Sequence, residues 1–187
     1  MNGPSCAGES RSEVRAGSMR LFLVRHGEAL PKTADPLQPL SPEGKRCAVL
    51  AADALLRAGA RPVALLHSEK MRATQTAAII SRELPGHPPA QLRRGLAPED
   101  PVDEWEAEAA LARTDMVIVG HMPFLPRLAS LLVTKDQERA QFAFETGGVL
   151  CLERIDYGSW TVRFLFAPSL ASTSGVAFLP DGLQKRE

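Results

Sequence analysis

Short apolar runs alternate with stretches of helical period along this chain. Residues 20–25 (Arg-Leu-Phe-Leu-Val-Arg) are rich in strand formers and stop at His26-Gly27, which predicts a buried strand entering a turn. Residues 29–40 hold three prolines and no period, so they read as a loop. Ser41-Pro42-Glu43-Gly44 is a helix start: Ser41 can cap, Pro42 suits the first helical position, and Glu43 suits the positive dipole end. Val49, Ala52, Leu55 and Leu56 then recur on one helical face, and Gly59 should close the helix. Residues 63–66 (Val-Ala-Leu-Leu) predict a second buried strand. A second helix is expected from Lys70 to Leu84, with Met71, Ala77, Ala78 and Ile79 on its apolar side and Pro85-Gly86 as its stop. Residues 91–93 suggest a short strand and 101–113 an exposed amphipathic helix. Residues 116–119 (Met-Val-Ile-Val) are a third buried strand, and Pro123 opens a helix through Leu132. Residues 148–155 and 160–166 read as a hairpin across Asp156-Tyr157-Gly158-Ser159.

Strands alternating with helices predict an α/β fold, a single three-layer domain whose mainly parallel sheet is flanked by helices. The domain should span residues 19–169, with an N-terminal extension over 1–18 and a C-terminal tail over 170–187. Met19, directly before the first strand, would make a sensible start.

Composition narrows the classes. The chain has 187 residues, 44% hydrophobic and 24% charged, which suits one soluble domain and excludes a collagen-like or wholly disordered chain. Lys+Arg and Asp+Glu are both 22, so a balanced charge gives no reason to expect nucleic acid or an anionic membrane as partner. The three cysteines form no CxxC pair, which argues against a disulfide framework or a structural zinc. No apolar run reaches the roughly 18 residues of a membrane span, and residues 1–18 lack the apolar centre of a secretory signal. The expected location is cytoplasmic.

The chemistry gathers where strands end. Arg25-His26-Gly27-Glu28, the segment from Ser68 to Arg72, and Gly120-His121 each follow an apolar strand or its turn. In a parallel sheet the carboxyl ends share one edge, where ligands bind. Two imidazoles, His26 and His121, and two guanidiniums, Arg25 and Arg72, should therefore converge. Arginine forks and the helix start after Ser68 favour a dianionic phosphoryl group. A neutral imidazole can attack phosphorus, so His26 is the candidate nucleophile. Gly27 would let the backbone approach the phosphate, and His121 would donate to its oxygens. Glu28 is a candidate acid or loop anchor, and Gly147 in Thr146-Gly147-Gly148 a candidate backbone donor. No metal or cofactor is expected. Each residue alone is more often structural than catalytic; their joint placement after three strands carries the argument.

These residues resemble the signatures of the histidine phosphatase superfamily, whose fold is called phosphoglycerate mutase-like. The resemblance rests on Arg25-His26-Gly27-Glu28 after a strand, on Ser68-Glu-Lys-Met-Arg72-Ala-Thr-Gln75-Thr76, and on Gly120-His121 after the third strand. It implies that His26 is phosphorylated and that Arg25, Arg72 and His121 hold the phosphoryl group, with Gly27, Glu28, Ser68 and Gly147 as substrate-binding positions. The chain is most similar to the compact SixA-type phosphohistidine phosphatases, because residues 85–115 are a short segment where mutases and sugar-phosphate phosphatases carry longer ones. Gly95 stands where mutase-like members carry a glutamate proton donor. The expected function is thus hydrolysis of phosphohistidine on a signalling protein. The alternatives are a broad phosphatase of small phosphoesters and a non-catalytic phospho-ligand binder.

Overall fold

A computed structural model describes residues 19–156 and 158–171. The expected N-terminal extension, nearly all of the C-terminal tail, and Tyr157 of the hairpin turn lie outside the described residues.

The first strand, β1 (Arg20–Arg25), sets the plan. Successive strand side chains point to opposite faces, and here both faces are apolar. Leu21 and Leu23 enter one core layer, while Phe22 and Val24 enter the other. Such two-sided burial belongs to a central strand of a sheet covered by helices on both sides. The remaining elements follow in order: α1 (Pro42–Arg57), β2 (Leu65–His67), α2 (Met71–Glu83), β3 (Ala90–Leu92), α3 (Asp103–Leu111), β4 (Met116–Gly120), α4 (Phe124–Thr134), β5 (Val149–Asp156), β6 (Ser159–Phe166) and the short α5 (Pro168–Ala171). The six strands form one sheet in the order β3-β2-β4-β1-β5-β6. The first four are parallel, and the β5–β6 hairpin adds antiparallel to β1. Helices α1 and α2 pack with Phe22, Val24, Leu65, Val117 and Val119. Helices α3 and α4 pack with Leu21, Leu23, Leu66 and Ile118 on the other side. This is a single three-layer α/β domain.

Local chemistry explains the boundaries. Ser41 Oγ accepts the Gly44 N–H at 3.0 Å and caps α1, with Pro42 in the first turn. Gly59 follows the helix with φ of +66°, a left-handed conformation that glycine adopts without a Cβ clash. The loop over 29–40 is drawn closed at its base by a bridge between Ala29 and Leu40 and by Leu30 N–H donating to Pro39 O at 2.8 Å.

Three elements differ from the sequence expectation. β2 lies at Leu65–His67 rather than 63–66, because its partners set its limits: Leu65 faces Val117 and Ala90, while Val63 is 69% exposed. The buried face of α2 is Ala73, Thr76, Ala77 and Ile80, with Met71 and Ala78 exposed, since the helix turns its small side chains onto α1 and the sheet. On α1, Leu55 is buried but Leu56 is not, and the inner face is completed by Cys47, Ala48 and Ala51.

Candidate functional site

Strand pairing brings the site residues together. Arg25 of β1 is the register partner of Gly120 of β4, so His26 and His121 are the next residues on two adjacent strands. The His26 N–H donates to Gly120 O at 3.2 Å, and the two rings stand 4.8 Å apart between centroids. On the far side of β4, Ser68 N–H donates to Val119 O, and Ser68 Oγ lies 2.5 Å from His121 Nε2. Helix α2 begins three residues later and delivers Arg72, whose Nε–H donates to His26 Nε2 at 3.1 Å. The expected convergence of Arg25, His26, Arg72 and His121 is therefore observed, with Ser68 among them.

The hydrogen bonds define the state of His26. Its Nδ1 sits 2.7 Å from Gly27 O, an atom that can only accept, so the ring proton is on Nδ1. Nε2 accepts from Arg72 and is an unprotonated lone pair. Burial pushes the His26 pKa down to about 4, assisted by the Arg72 and Arg25 charges and opposed by the Gly27 bond. His121 is pushed to about 3 by burial first, then by His26, Arg72, Lys70 and Arg25. Both imidazoles are neutral near pH 7.

Arg25 donates from Nη1 to Phe144 O at 2.7 Å, but among the described residues its buried Nε has no partner, and neither has His121 Nδ1. Buried polar atoms in native proteins are nearly always satisfied. Both nitrogens are hydrogen-bond donors or can be, and with the Arg25 and Arg72 guanidiniums they give this edge of the sheet the chemistry of an anion-binding site.

Other expected positions serve the frame of the site. Gly27 donates its N–H to Thr76 Oγ1 at 3.0 Å, and a Cβ on Gly27 would collide with the backbone carbonyl of Gly44. Its lack of a side chain thus admits the first turn of α1. Glu28 is exposed, and its Oε1 accepts the Ser41 hydroxyl at 2.7 Å. Gly147, at φ of +75°, donates its N–H to Arg25 O and His26 O, and a Cβ there would stand 2.7 Å from Cys47 Cβ. It braces the β1 turn from below. Gly95, where an acid was sought, has φ of +78°, and its carbonyl accepts the Trp105 indole N–H at 2.6 Å. Trp105 and Ala109 are packed into the core, so α3 buries one face instead of lying exposed as the sequence predicts.

Sequence reasoning gave no role to Thr76, Gln38 or the Phe144 carbonyl. Thr76 lies four residues after Arg72, one helical turn along, and that spacing was a usable signal. Gln38 Oε1 lies 3.4 Å from Arg72 Nη1 and holds it only loosely. Nothing in the pattern of the loop marks Gln38. Among the described residues no group of three or more His, Cys, Asp or Glu could hold a metal, and no helix is long and apolar enough to cross a membrane.

Comparison with known proteins agrees with this geometry. Residues 21–107 match the family model described as histidine phosphatase superfamily (branch 1). An uncharacterized protein of Picosynechococcus sp. is 33% identical over 125 residues, which are 61% of this chain and 73% of that protein. The chain belongs to the histidine phosphatase superfamily. Solved structures of histidine phosphatases share its fold. The protein histidine phosphatase SixA, complexed with tungstate, superposes with a TM-score of 0.72 at 23% identity, covering 82% of this chain and 99% of that one. A mycobacterial glucosyl-3-phosphoglycerate phosphatase with VO3 gives 0.59 at 17% identity, covering 77% and 96%.

Proposed function

We propose that the protein is a phosphatase that removes phosphate from phosphohistidine on a protein, through a covalent phosphohistidine at His26. One observation carries this reading. The Nε2 lone pair of His26, set by Nδ1–H on Gly27 O, shares the adjoining ends of β1 and β4 with Arg25 Nε and His121 Nδ1, two buried nitrogens without a hydrogen-bond partner among the described residues. This arrangement supports a reading in which a phosphoryl dianion is bound and attacked.

An arriving dianion draws the Arg72 guanidinium from Nε2 to its own oxygens, which frees the lone pair. His26 Nε2 then forms a bond to phosphorus as the substrate's P–N bond breaks, and the departing imidazole nitrogen takes a proton from solvent water. Arg25 and Arg72 neutralise the oxygens as charge builds, and the neutral His121 ring donates a hydrogen bond to them. Water next forms the P–O bond of inorganic phosphate while the P–N bond to His26 breaks, and a water proton passes to solvent. The two arginines supply the charge that this displacement needs.

The leaving group supports the substrate class. An alkyl phosphate expels an alkoxide and gains roughly 10²–10⁴-fold from a general acid. An imidazole leaves readily once protonated, so Gly95 in place of an acid costs less for phosphohistidine. Membership of the superfamily and the likeness in fold to SixA support the same reading. A second reading, a phosphatase of small phosphoesters, is favoured by one feature. Glu69 and Asp100 line a pocket beside Ser68, together with Arg93 and Arg94, where an acid could reach a leaving oxygen.

The test is phosphorus transfer. The full chain is incubated with a phosphohistidine-bearing protein, quenched in alkali and examined for acid-labile label, beside His26→Ala and with a phosphomonoester as competitor. Label on His26 with prompt phosphate release is expected, and faster turnover of phosphohistidine than of the ester. A faster ester would favour the second reading. Binding of phosphate with no label and no turnover would leave a non-catalytic binder.

A further inference from the structure

We infer that Ser68 is a positioning residue: its hydroxyl donates to His121 Nε2 and thereby keeps the single ring proton of His121 on Nδ1, the atom that has no partner in the ligand-free site. The inference deepens the phosphatase reading and rests on it for its kinetic consequence only.

The argument starts from the buried hydroxyl. Ser68 is 2% exposed, so its proton needs an acceptor inside the protein. Its Oγ has two bonded neighbours among the described residues: the Lys70 N–H, a donor at 3.4 Å, and His121 Nε2 at 2.5 Å. A donor cannot take the hydroxyl proton, so Nε2 takes it. A neutral imidazole carries one N–H, and with Nε2 accepting, that proton is on Nδ1. Burial and the surrounding cations keep the ring neutral.

The opposite tautomer would fail twice. Nε2–H would point at Ser68 and leave the hydroxyl proton without an acceptor. Nδ1 would present a lone pair, which repels phosphoryl oxygens instead of donating to them. The chain of control runs further back. Nδ1 of His67, also buried, lies 2.9 Å from the Ser68 carbonyl, an atom that can only accept, so it donates and pins the turn that carries the hydroxyl. Ser68 therefore acts on the substrate through His121, a role beside the direct substrate binding expected from the sequence.

The experiment has a readout independent of turnover. Nitrogen-15 spectra of the wild-type histidine side chains at neutral pH should show His121 with Nδ1 protonated and Nε2 unprotonated. Protonated Nε2 would overturn the inference. In Ser68→Ala the His121 signals should show a mixture of tautomers. Tungstate should bind less tightly, and kcat should fall about 10–100-fold, short of the ~10²–10³-fold typical when an oxyanion donor is lost outright. Ser68→Thr keeps the hydroxyl and should restore kcat to within about threefold. If Ser68→Ala does not fold, the wild-type spectrum and Ser68→Thr decide. An unchanged tautomer and unchanged kcat in Ser68→Ala would sink the idea. Absence of wild-type turnover would instead sink the phosphatase reading and leave the tautomer assignment standing.

Discussion

At the scale of single residues the site is a contest between burial and charge. His26 and His121 stand with ring centroids 4.8 Å apart; burial and the Arg72 and Arg25 charges disfavour a second proton on both rings, and Lys70 adds to this at His121. A proton titration of the ligand-free protein should place the His26 midpoint near 4 and keep both rings neutral at pH 5.5. Midpoints near the ordinary ~6.5 would refute the electrostatic account. The sign for stability follows. Both pKa values are lower in the folded chain, so below about 6.5 the unfolded chain binds more protons. Stability from these groups is full above that value and declines as pH falls toward 4, which urea midpoints at pH 7 and pH 5 would register as a loss at pH 5. The four charged and imidazole residues were legible because each sits directly after a strand or opens a helix. The tautomers were not, since they depend on hydrogen bonds between residues far apart in the chain.

At the scale of elements, small residues join the turn after β1 to the helices beside it. Gly27 and Gly44 pack backbone to backbone, and a Cβ on Gly44 would collide with the carbonyl of Glu28. Gly44→Ala should cost about 1–3 kcal/mol through overpacking, seen in denaturant melts, and should lower turnover with it. Thr76 holds Gly27 from the other side. Thr76→Val is close in shape but leaves the Gly27 N–H unpaired, at a cost of about 1–3 kcal/mol. The measured effect should include a lower kcat, because the Gly27 carbonyl orients His26. The helix α1 was readable from its cap, its proline and its closing glycine. The inner face of α2 was not, because its buried positions are alanines and a threonine, which carry weak hydrophobic signal. The limits of β2 escaped for another reason: three residues hydrogen-bonded on both sides are defined by their neighbours, not by their own composition.

At the scale of the whole molecule, chemistry and stability occupy opposite ends of the sheet. At the end away from the histidines, Asp115 accepts from the Arg20 side chain and from the backbone N–H groups of Arg20 and Arg61. Arg20 in turn donates to Ala58 O and Gly59 O, which ties β1 to the end of α1. Asp115→Ala removes the acceptor of a partly buried network and should destabilise the fold by about 2–3 kcal/mol. It should leave kcat unchanged at temperatures where the chain stays folded. A drop in kcat without loss of stability would contradict this separation. The three-layer plan was legible from the alternation of runs, since two-sided apolar strands leave few other architectures. The strand order was not, because a crossover leaves no trace in the residues it skips.

The closed base of the loop over 29–40 has a consequence for how such a protein can diversify. Ala29 and Leu40 meet at the neck, and Gln75 Oε1 accepts the Leu40 N–H at 2.7 Å, so both ends of the loop are anchored below its tip. The tip over 31–34 is exposed. Lengthening such a tip costs little, as each doubling of a loop adds about 0.6 kcal/mol of closure entropy. New recognition surfaces can therefore be grafted there without moving the His26 imidazole, which makes the tip the natural place to insert a foreign peptide.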